Sequence, residues 1–340
     1  MKYFEAKPIT EFKDADGKTP EILIVDGNRT GGKTTAFSRL LVEEFLNHGK
    51  KFFLVYRFKS YLKNTAETFF KDIQGLFFEG HVMTCKSNRD NGYVELFLDK
   101  KPCGYAGALS MVSKLKLCSH VFNDVENMFF DEYQDENGVY LSGEVKRLMS
   151  LHTTIARGKG QAVRFVPLYM CSNSISVFNP YYKGLGITAK INSRTKVYRG
   201  NGFVLLRLTI KDVAEAQRES AFNRAFSSCG YLESSIDNSF LNDDDFNVER
   251  RAFNGSVSFT FIFASDFYSV LFNNEEYYVK RGGDKNIKPC FGVNQNDRGK
   301  DVKAIYGTTY YKRLKLEYEN ATIHFESIEA KHAFQCLIMV

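Results

Sequence analysis

Short apolar runs alternate with longer amphipathic stretches along the first 171 residues of the chain. The runs are predicted to form buried strands, and they lie at residues 21–26, 51–56, 127–131 and 163–171. Apolar side chains recur at helical spacing between these runs, which predicts helices over residues 33–47, 61–73 and 142–157. Strands that alternate with helices in this way predict a mainly parallel sheet and an α/β fold.

Two of the predicted helices have recognisable ends. The first is predicted to stop at His48-Gly49, and its apolar face is formed by Phe37, Leu40, Leu41 and Phe45. Ser142 is predicted to cap the helix that ends near Arg157. The core-facing side of that helix is predicted to carry Val145, Leu148, Met149 and Ile155. Hairpin-like strands (VMTCKS, YVELFLD) are predicted within residues 76–120.

The pattern becomes more polar near residue 210. A polar helix is predicted over residues 211–226, and residues 227–245 have the Ser, Asn, Asp and Gly content of a linker. Closely spaced strands follow residue 247, and a short helix ends the chain. We therefore predict an α/β domain over residues 1–207, a helical and polar linker over 208–245, and a smaller α+β domain over 246–340.

Composition and charge are those of a folded chain with two domains. Of the 340 residues, 44% are hydrophobic and 25% are charged, which provides enough apolar surface for packed cores. The net charge of +6 is uneven, because residues 1–207 carry 30 Lys and Arg against 21 Asp and Glu, whereas residues 208–340 carry 16 against 19. This imbalance is modest and by itself identifies no partner.

Other compositional signals exclude whole classes of protein. No apolar run approaches the ~18–20 residues of a membrane helix, and the first 17 residues carry charges throughout, unlike a secretory signal. We therefore expect a soluble cytoplasmic protein without a membrane partner. The seven cysteines lack CxxC spacing and predict reduced, mostly buried thiols. The six histidines lack the spacing of a zinc site.

The segment GNRTGGKTT at residues 27–35 carries the most specific chemistry. It fits the Walker A pattern GxxxxGK[ST] and lies between a predicted strand and a predicted helix. Backbone N–H groups of such a turn form a nest for phosphates. Lys33 is predicted to reach the β- and γ-phosphates, and the Thr34 hydroxyl is predicted to bind Mg²⁺. The predicted nucleotide-binding residues of this loop are Gly27, Asn28, Arg29, Thr30, Gly31, Gly32, Lys33, Thr34 and Thr35.

Two acids follow the buried run that ends at residue 131, in the order of a Walker B motif. Asp131 is predicted to hold the Mg²⁺ shell, and Glu132 is predicted to polarise the water that attacks the γ-phosphate. Two acids after an apolar run would be a weak signal alone, but together with Walker A they are specific. A catalytic glutamate here favours hydrolysis over transfer to another acceptor, because a kinase must exclude water.

Polar and basic side chains follow the other predicted elements. Asn173, in the pair Ser172-Asn173, ends the strand where such ATPases often carry a γ-phosphate sensor, although both residue types also start turns for local reasons. Arg57 and Lys59 follow the second strand, and Arg157 ends the helix after Walker B. Each of these three could be solvated surface, and Arg157 could simply complement a helix dipole.

Taken together, these motifs resemble those of the double-stranded DNA packaging ATPases of small podophages, of the Salasmaviridae and Picovirinae type, which are relatives of the large terminases. The resemblance rests on GNRTGGKTT at 27–35, FLVYRFK at 53–59, MFFDEY at 128–133, TTIARG at 153–158 and CSNSISVFNPYY at 171–182. A weaker similarity continues through IDNSFLNDDDFNVERR at 236–251. The resemblance therefore covers about residues 20–255, and the remaining C-terminal part is similar only in architecture.

The resemblance implies a P-loop ATPase of the additional-strand, catalytic-glutamate class, which uses ATP and Mg²⁺ to drive viral DNA into a prohead. It implies a homo-oligomer, a pentameric ring that works in the host cytoplasm and transiently at the prohead portal vertex. Arg157 would be an arginine finger acting in trans, and Arg57 and Lys59 would lie in a lid over the nucleotide. The C-terminal domain would resemble an RNase H-like nuclease without its catalytic acids, and some relatives dock it on a phage-encoded structural RNA.

The residues of the C-terminal part do not favour an active nuclease. A two-metal nuclease needs converging carboxylates, whereas Asp266 is predicted in a turn and Asp284, Asp297 and Asp301 are scattered. Ten Lys and Arg against three Asp lie between Lys280 and Lys315, interleaved with tyrosines. This stretch predicts a basic face that contacts nucleic acid or the prohead, and the alternative is a solvated hairpin surface.

Three other functions remain open at the level of the sequence. The first is another P-loop ATPase that acts on nucleic acid, such as a helicase-like enzyme. The second is a nucleotide kinase, against which Glu132 argues. The third is a nucleotide-bound scaffold without turnover, against which the intact Lys33, Thr34, Asp131 and Glu132 argue.

Overall fold

The computed structural model describes residues 4–88, 91–136, 139–158, 160, 163–191, 195–225, 236, 238, 247–284, 286–293, 297–299, 301–320 and 322–338. The chain forms two compact units, and neither is continuous in sequence. The larger unit takes in the described parts of residues 1–134, 143–174 and 183–241. The smaller unit takes in those of residues 135–142, 175–182 and 242–340.

A nine-stranded sheet runs through the described part of the larger unit. Its strands are β1 (Ile22–Gly27), β2 (Lys51–Tyr56), β3 (Met83–Asn88), β4 (Tyr93–Leu98), β5 (Lys101–Ala108), β6 (Val125–Asp131), β7 (Leu168–Ser172), β8 (Val197–Gly200) and β9 (Phe203–Leu208). They lie in the order β3-β4-β5-β2-β6-β7-β1-β9-β8. In that order, neighbours from β5 to β9 pair in parallel, whereas β3 and β4 at one end and β8 at the other join by antiparallel pairing. The predicted mainly parallel sheet is confirmed.

The strand order brings three motifs to one edge of the sheet. β7 lies between β1 and β6, and the register pairs Asp26 with Ser172 and Asp131 with Cys171. The carboxyl ends of these strands therefore lie side by side, although they come from distant parts of the sequence. Ligands of open α/β sheets bind at such an edge.

Seven helices accompany the strands in residues 33–225 of the described chain. They are α1 (Lys33–His48), α2 (Lys59–Phe77), α3 (Val112–Leu117), α4 (Glu144–Ala156), α5 (Pro180–Gly184), α6 (Lys211–Glu219) and α7 (Ala221–Ala225). Four short 3-10 helices cover Lys7–Glu11, Leu109–Met111, Ser119–Phe122 and Thr188–Lys190.

Aromatic packing fixes α1 on the sheet. The Phe37 ring lies 5.3 Å from the Tyr169 ring and 5.5 Å from the Phe129 ring, centroid to centroid, and Phe37 is fully buried. Truncation of such a side chain typically costs about 3–5 kcal/mol. Because α1 begins at Lys33, this packing also fixes the helix end to which the phosphate-binding loop is attached.

The helix after Walker B differs from the prediction in its cap and its buried face. α4 begins at Glu144, and the cap position is Gly143 with φ +62° rather than Ser142. Glycine takes up this left-handed conformation at little cost. The buried stripe runs through Leu148, Leu151 and Ile155, whereas Met149 is 65% exposed, because it lies one position beyond Leu148 and so points away from the core.

Most other elements of this unit lie where the pattern predicted them, with three kinds of exception. The last predicted strand is shortened to β7, because Pro167 precedes it and lacks the N–H that a ladder requires. β5, β8 and β9 were not predicted as separate strands. The polar helix predicted over 211–226 is divided at Ser220 into α6 and α7.

A five-stranded sheet forms the centre of the smaller unit in its described residues. Its strands are β10 (Ser256–Phe263), β11 (Asp266–Phe272), β12 (Tyr277–Arg281), β13 (Cys290–Gly292) and β14 (Ile323–Phe325), in the order β13-β10-β11-β12-β14. Helices α8 (Thr309–Glu319) and α9 (Ile328–Ile338) complete it. Leu314 of α8 and Phe334 of α9 share a buried core with Phe259 and Phe325. The predicted α+β architecture of this part is present.

The unit boundaries differ from the expected contiguous division at residues 207 and 245. Two segments from within the predicted α/β domain, 135–142 and 175–182, belong to the smaller unit. Within the second segment, Asn179 caps α5, since its Oδ1 accepts from Tyr182 N at 2.9 Å, and Pro180 follows it. Of the linker predicted over 208–245, the part rich in Ser, Asn, Asp and Gly, residues 227–245, lies outside the described residues apart from Ile236 and Asn238.

Two further predictions concern cysteines and membrane helices. Six of the seven cysteines are described, and all six are free thiols, four of them buried. Cys229 lies outside the described residues. None of the helices in the described part of the chain combines the length and apolarity that a bilayer crossing needs.

Candidate nucleotide site

A cavity of about 1170 Å³ opens at the carboxyl edge of the larger sheet. Its walls include seven of the nine residues predicted for the phosphate loop, together with Asp131, Glu132 and Asn173. The seven are Arg29, Thr30, Gly31, Gly32, Lys33, Thr34 and Thr35. The structure therefore brings Walker A, Walker B and the end of β7 to one cavity.

The ammonium group of Lys33 hydrogen-bonds the backbone of the phosphate loop itself. Its Nζ donates to the carbonyl oxygens of Gly27 at 3.0 Å and Asn28 at 2.8 Å, and to Asn173 Oδ1 at 3.3 Å. Burial lowers the pKa of Lys33, and nearby Asp131 opposes that shift. A bound phosphate would give Lys33 a negatively charged partner in place of these neutral oxygen atoms. Such a change of partner at Lys33 would also alter its hydrogen bond with Asn173.

The conformation of the loop depends on glycine at two positions. Gly32 has φ +81°, a left-handed conformation that side chains disfavour. A Cβ on Gly27 would lie 2.9 Å from the Leu208 carbonyl oxygen, which is too close. Thr30 also has a positive φ, of 56°, and its Oγ1 accepts from Gln217 Nε2 at 2.6 Å. The loop is thus held in the shape that aims backbone N–H groups at a phosphate.

Asn28 has a different position from the one predicted. Its side chain is buried and pairs with the backbone of Ile210, since Asn28 Oδ1 accepts from Ile210 N at 2.9 Å. Among the described lining residues of the cavity, neither Gly27 nor Asn28 is present. Their carbonyl groups instead hold Lys33, so they act on the site through that side chain.

The donor set expected for Mg²⁺ is assembled. The Thr34 hydroxyl hydrogen-bonds the Asp131 carboxylate, whose Oδ1 also accepts from the Cys171 thiol at 3.0 Å. Burial raises the pKa of Asp131, and these hydrogen bonds and Lys33 oppose the rise. A hydroxyl and a carboxylate are hard oxygen ligands, and Mg²⁺ commonly takes one or two of these from protein and the rest from water and phosphates. The residues therefore fit the ion.

Glu132 has a strained backbone. Its φ is +52°, which for a non-glycine residue costs of order 1–3 kcal/mol and persists only where the surroundings enforce it. Three contacts do so. Asp131 Oδ1 accepts from Glu132 N at 3.0 Å, and the Arg57 guanidinium donates to the carbonyl oxygens of Glu132 at 3.3 Å and Tyr133 at 2.6 Å.

Buried hydrogen bonds also hold the turn that contains Glu132, which we call the catalytic turn. The Tyr133 hydroxyl donates to Asp26 Oδ1 at 2.7 Å, and Gln134 Nε2 donates to Asp26 Oδ2 at 3.0 Å. Asp26 is the last residue before the phosphate loop, so the carboxylate ties that loop to the catalytic turn. Sequence reasoning missed this network, and the only local signal was that Tyr133 and Gln134 directly follow Glu132.

Arg57 and Lys59 do not have the position of a lid in this structure. Neither belongs to the described lining of the cavity. Arg57 is buried, and its Nε lies 3.0 Å from Glu144 Oε1 at the start of α4. Its contacts therefore hold the turn that contains Glu132 rather than a nucleotide. Lys59 is exposed at the first turn of α2, where its backbone N donates to Ser110 Oγ at 3.0 Å.

Arg157 lies at the end of α4, as predicted. It is the residue after Ala156, it has extended backbone angles, and its side chain is exposed. It is not part of the described lining of the cavity of its own chain. The expected role in trans stays a prediction.

Comparison with known proteins gives a consistent family. A profile described as Podovirus DNA encapsidation protein (Gp16) matches residues 18–337. The chain is 27% identical over 311 residues to the DNA packaging protein of Bacillus phage B103, covering 89% of this chain and 92% of that protein. It is 26% identical over 310 residues to the DNA packaging protein of Bacillus phage phi29, covering 89% of each.

A solved structure has the same fold over nearly the whole chain. A protein chain of the bacteriophage phi29 viral genome packaging motor assembly matches with a TM-score of 0.58 and 20% identity. The match covers 98% of this chain and 99% of that chain. The P-loop α/β fold predicted from the motifs, and the resemblance on which that prediction drew, are confirmed.

Proposed function

Since the chain belongs to the Podovirus DNA encapsidation protein (Gp16) family, we propose that it hydrolyses ATP and uses the free energy to drive double-stranded DNA into a prohead. The observation that carries the proposal is the convergence of Lys33, Thr34, Asp131, Glu132 and Asn173 on one cavity. Each group has a place in the chemistry of γ-phosphate hydrolysis.

The residues divide the work of the reaction. Lys33 and the backbone N–H groups of the loop bind the phosphates and stabilise their charge. Thr34 and Asp131 would hold Mg²⁺, which would neutralise negative charge on the phosphates. Glu132, held by the strained turn, orients and polarises the attacking water. Asn173 hydrogen-bonds Lys33 and is placed to register the loss of the γ-phosphate.

We further propose a ring of identical subunits, pentameric as the resemblance implies, at the prohead portal vertex in the host cytoplasm. The exposed Arg157, which directly follows α4, supports this proposal. Glu144 at the start of α4 pairs with Arg57, and Arg57 also donates to the carbonyl oxygen of Glu132, so α4 connects Arg157 with the turn that contains Glu132. An arginine presented to a neighbour would neutralise the transition-state charge there.

The smaller unit is proposed to contact nucleic acid or the prohead without cutting DNA, and docking on a structural RNA is one form of this contact. Of the ten basic residues between 280 and 315, Lys285 and Lys300 lie outside the described residues. Arg281 pairs with Asp266, and Arg298 donates to the carbonyl oxygens of Gly292 and Val293. Lys280, Lys303, Lys312 and Lys315 are exposed, and Lys312 and Lys315 lie one helical turn apart on α8, so these four lysines are the groups proposed to meet an external phosphate.

The experiment that tests the proposal is in vitro packaging with purified proheads, DNA and ATP. We expect hydrolysis that depends on DNA and is stimulated by proheads. Lys33→Ala should lose nucleotide binding, whereas Glu132→Gln should still bind ATP but hydrolyse it about 10²–10⁴-fold more slowly. Substantial turnover by the Glu132→Gln protein would remove the assigned role. DNA-stimulated hydrolysis without packaging would favour a helicase-like enzyme, and phosphate transfer to a small acceptor would favour a kinase.

A further inference from the structure

The Asp131 carboxylate is held by three donors of the protein. Its Oδ1 accepts from Glu132 N at 3.0 Å and from the Cys171 thiol at 3.0 Å. The Thr34 hydroxyl donates to the same carboxylate. An ionised carboxylate offers about four acceptor sites, so these donors leave about one for the hydration shell of a metal ion. The direction in which that last site points therefore depends on how the donors fix the carboxylate.

One of the donors, Cys171, comes from the neighbouring strand. β6 and β7 pair in parallel, and the register places Cys171 opposite Asp131. Residues opposite each other in a sheet project to the same face, which brings the thiol to the carboxylate. Cys171 is completely buried and does not belong to the described lining of the cavity. It therefore acts on a ligand in the cavity through Asp131.

The carboxylate needs a rigid partner, because the last torsion of an aspartate side chain is broad and roughly two-fold. Glu132 lies in the catalytic turn, and Thr34 lies in the first turn of α1, beside the phosphate loop. Cys171 instead lies within β7, which is paired with β1 on one side and β6 on the other. The thiol thus supports Asp131 from a strand, independently of the conformation of the loop or of the catalytic turn.

The surroundings of Cys171 keep its sulfur a donor. Burial favours the neutral thiol over the thiolate, and a thiolate beside a carboxylate would be repelled. An S–H group is also a weaker donor than a hydroxyl or an amide. It can therefore orient the carboxylate while drawing little of the negative charge of Asp131 away from a cation.

We propose that Cys171 is a positioning residue of the magnesium site, whose hydrogen bond fixes the rotation of the Asp131 carboxylate toward the cavity. The proposal rests on the proposed function, because it concerns the ion that accompanies the bound nucleotide. Cys171 then sets the affinity of the protein–nucleotide complex for Mg²⁺ and leaves the binding of the nucleotide without metal unaffected.

The test is calorimetric titration of the full chain with a non-hydrolysable ATP analogue, once with saturating Mg²⁺ and once with EDTA. By linkage, the ratio of the two Kd values reports how tightly the bound nucleotide holds Mg²⁺. Cys171→Ala should raise the Kd measured with Mg²⁺ by about 10- to 100-fold, as loss of an outer partner of a metal ligand typically does, and leave the Kd in EDTA unchanged. Cys171→Ser keeps a donor and should restore binding with Mg²⁺.

Cys103→Ala is the matched control. Cys103 is also buried, 1% exposed, but it lies on β5, which β2 separates from β6. Its loss removes a core sulfur from the same sheet and should change neither Kd. A similar rise with Mg²⁺ in this variant would assign the effect to packing and overturn the proposal.

The other outcomes separate this inference from the function beneath it. An unchanged Kd with Mg²⁺ in Cys171→Ala would overturn it, as would a Kd that rises equally with Mg²⁺ and with EDTA, since that result shows distortion of the phosphate loop. A Cys171→Ser protein as weak as Cys171→Ala would show that the donated hydrogen bond is not the cause. If the wild-type Kd were the same with Mg²⁺ and with EDTA, the proposed magnesium site itself would be wrong, whatever Cys171 did.

Discussion

The two compact units use their charged side chains in opposite ways. In the larger unit, Lys33, Asp131 and Glu132 face a cavity, and Arg57 and Glu144 form an ion pair that is almost completely buried. In the smaller unit, Asp266 and Arg281 form an exposed pair on the surface. Groups of three or more His, Cys, Asp or Glu side chains that could hold a metal are absent from the described residues.

This difference determines how strongly the charged groups of each unit can act on a bound ligand. Charges that face a cavity or are desolvated act strongly on a bound ligand, because the local dielectric is low. Charges paired at the surface contribute little energy and are screened by salt. The larger unit therefore carries charged groups that can act strongly on a ligand, whereas the Asp266–Arg281 pair of the smaller unit lies where solvent screens it. Four predictions test this contrast, beginning with the largest expected effect.

Loss of Arg157 should have the largest effect on rate. Within an assembled ring, Arg157→Ala should bind ATP normally and lose about 10³–10⁵-fold in hydrolysis, as other NTPases do without their arginine finger. The measurement is steady-state hydrolysis by the assembled motor. An isolated subunit should hydrolyse ATP slowly whether or not it carries Arg157.

Mixing subunits distinguishes action in trans from a structural role. Arg157→Ala subunits mixed with Glu132→Gln subunits should recover some activity, because an intact Glu132 can then meet an intact Arg157. A mixture that stays inactive, while wild-type subunits demonstrably exchange, would exclude action in trans. Full activity of Arg157→Ala in the ring would show that Arg157 is no arginine finger and simply complements the dipole of α4.

The second prediction contrasts the buried ion pair with the exposed one. Glu144→Gln leaves the Arg57 guanidinium buried without its charge partner, so it should destabilise the protein by about 3–5 kcal/mol. Asp266→Asn removes one of the two carboxylates that pair with the exposed Arg281 and should cost about 0–1 kcal/mol. Both are measured by denaturant unfolding of the full chain.

A rate measurement shows whether Arg57 and Glu144 position the catalytic turn. Under conditions where Glu144→Gln remains folded, its hydrolysis should fall while its affinity for ATP stays near the wild-type value, because Glu132 is displaced and the phosphate loop is not. Loss of affinity without loss of turnover would return Arg57 to the lid that the resemblance implied.

The third prediction concerns pH and the buried histidine of the smaller unit. His332 packs between Phe178 and Phe263, and burial lowers its pKa from 6.5 to about 4. The unfolded chain therefore takes up a proton between these pH values that the folded chain does not. Stability present above pH 6.5 should be lost as pH falls, by about 2 kcal/mol at pH 5. His332→Phe should lack this component in unfolding measured at both pH values.

The same packing affects experiments on fragments. Phe178 belongs to the segment 175–182, so a fragment of residues 246–340 lacks one wall of the His332 site. Contacts of the smaller unit with DNA, RNA or proheads are therefore better tested in the full chain, with Lys312→Glu and Lys315→Glu on α8. If these changes left a salt-dependent affinity unaltered, the basic stretch would be solvated surface.

The last prediction is that the protein does not cleave DNA. Duplex DNA incubated with the full chain and Mn²⁺ or Mg²⁺ should stay intact, because Asp266 and Glu329 are both paired with Arg281, and the described residues contain no group of three or more His, Cys, Asp or Glu that could hold a metal. Asp266→Asn should leave that result unchanged. Metal-dependent cleavage that disappears in this variant would show that the smaller unit is a nuclease.

Sequence alone determined the elements whose causes are local. β1, the phosphate loop and α1 follow from an apolar run, a glycine-rich turn and a helical repeat within about thirty residues, and Asp131-Glu132 follow from the end of another run. These signals need no distant partner, since backbone propensity and side-chain period suffice.

Only tertiary structure could bring Asn173 into contact with Lys33, 140 residues away in sequence, and Arg57 into contact with Glu144, 87 residues away. It also decided that Asn28 faces Ile210, that 135–142 and 175–182 join the smaller unit, and that Arg39 and Phe77 meet at the end of the cavity. The physical reason is that such contacts depend on strand order and on which buried polar groups find partners, and neither is written in the local pattern of the chain.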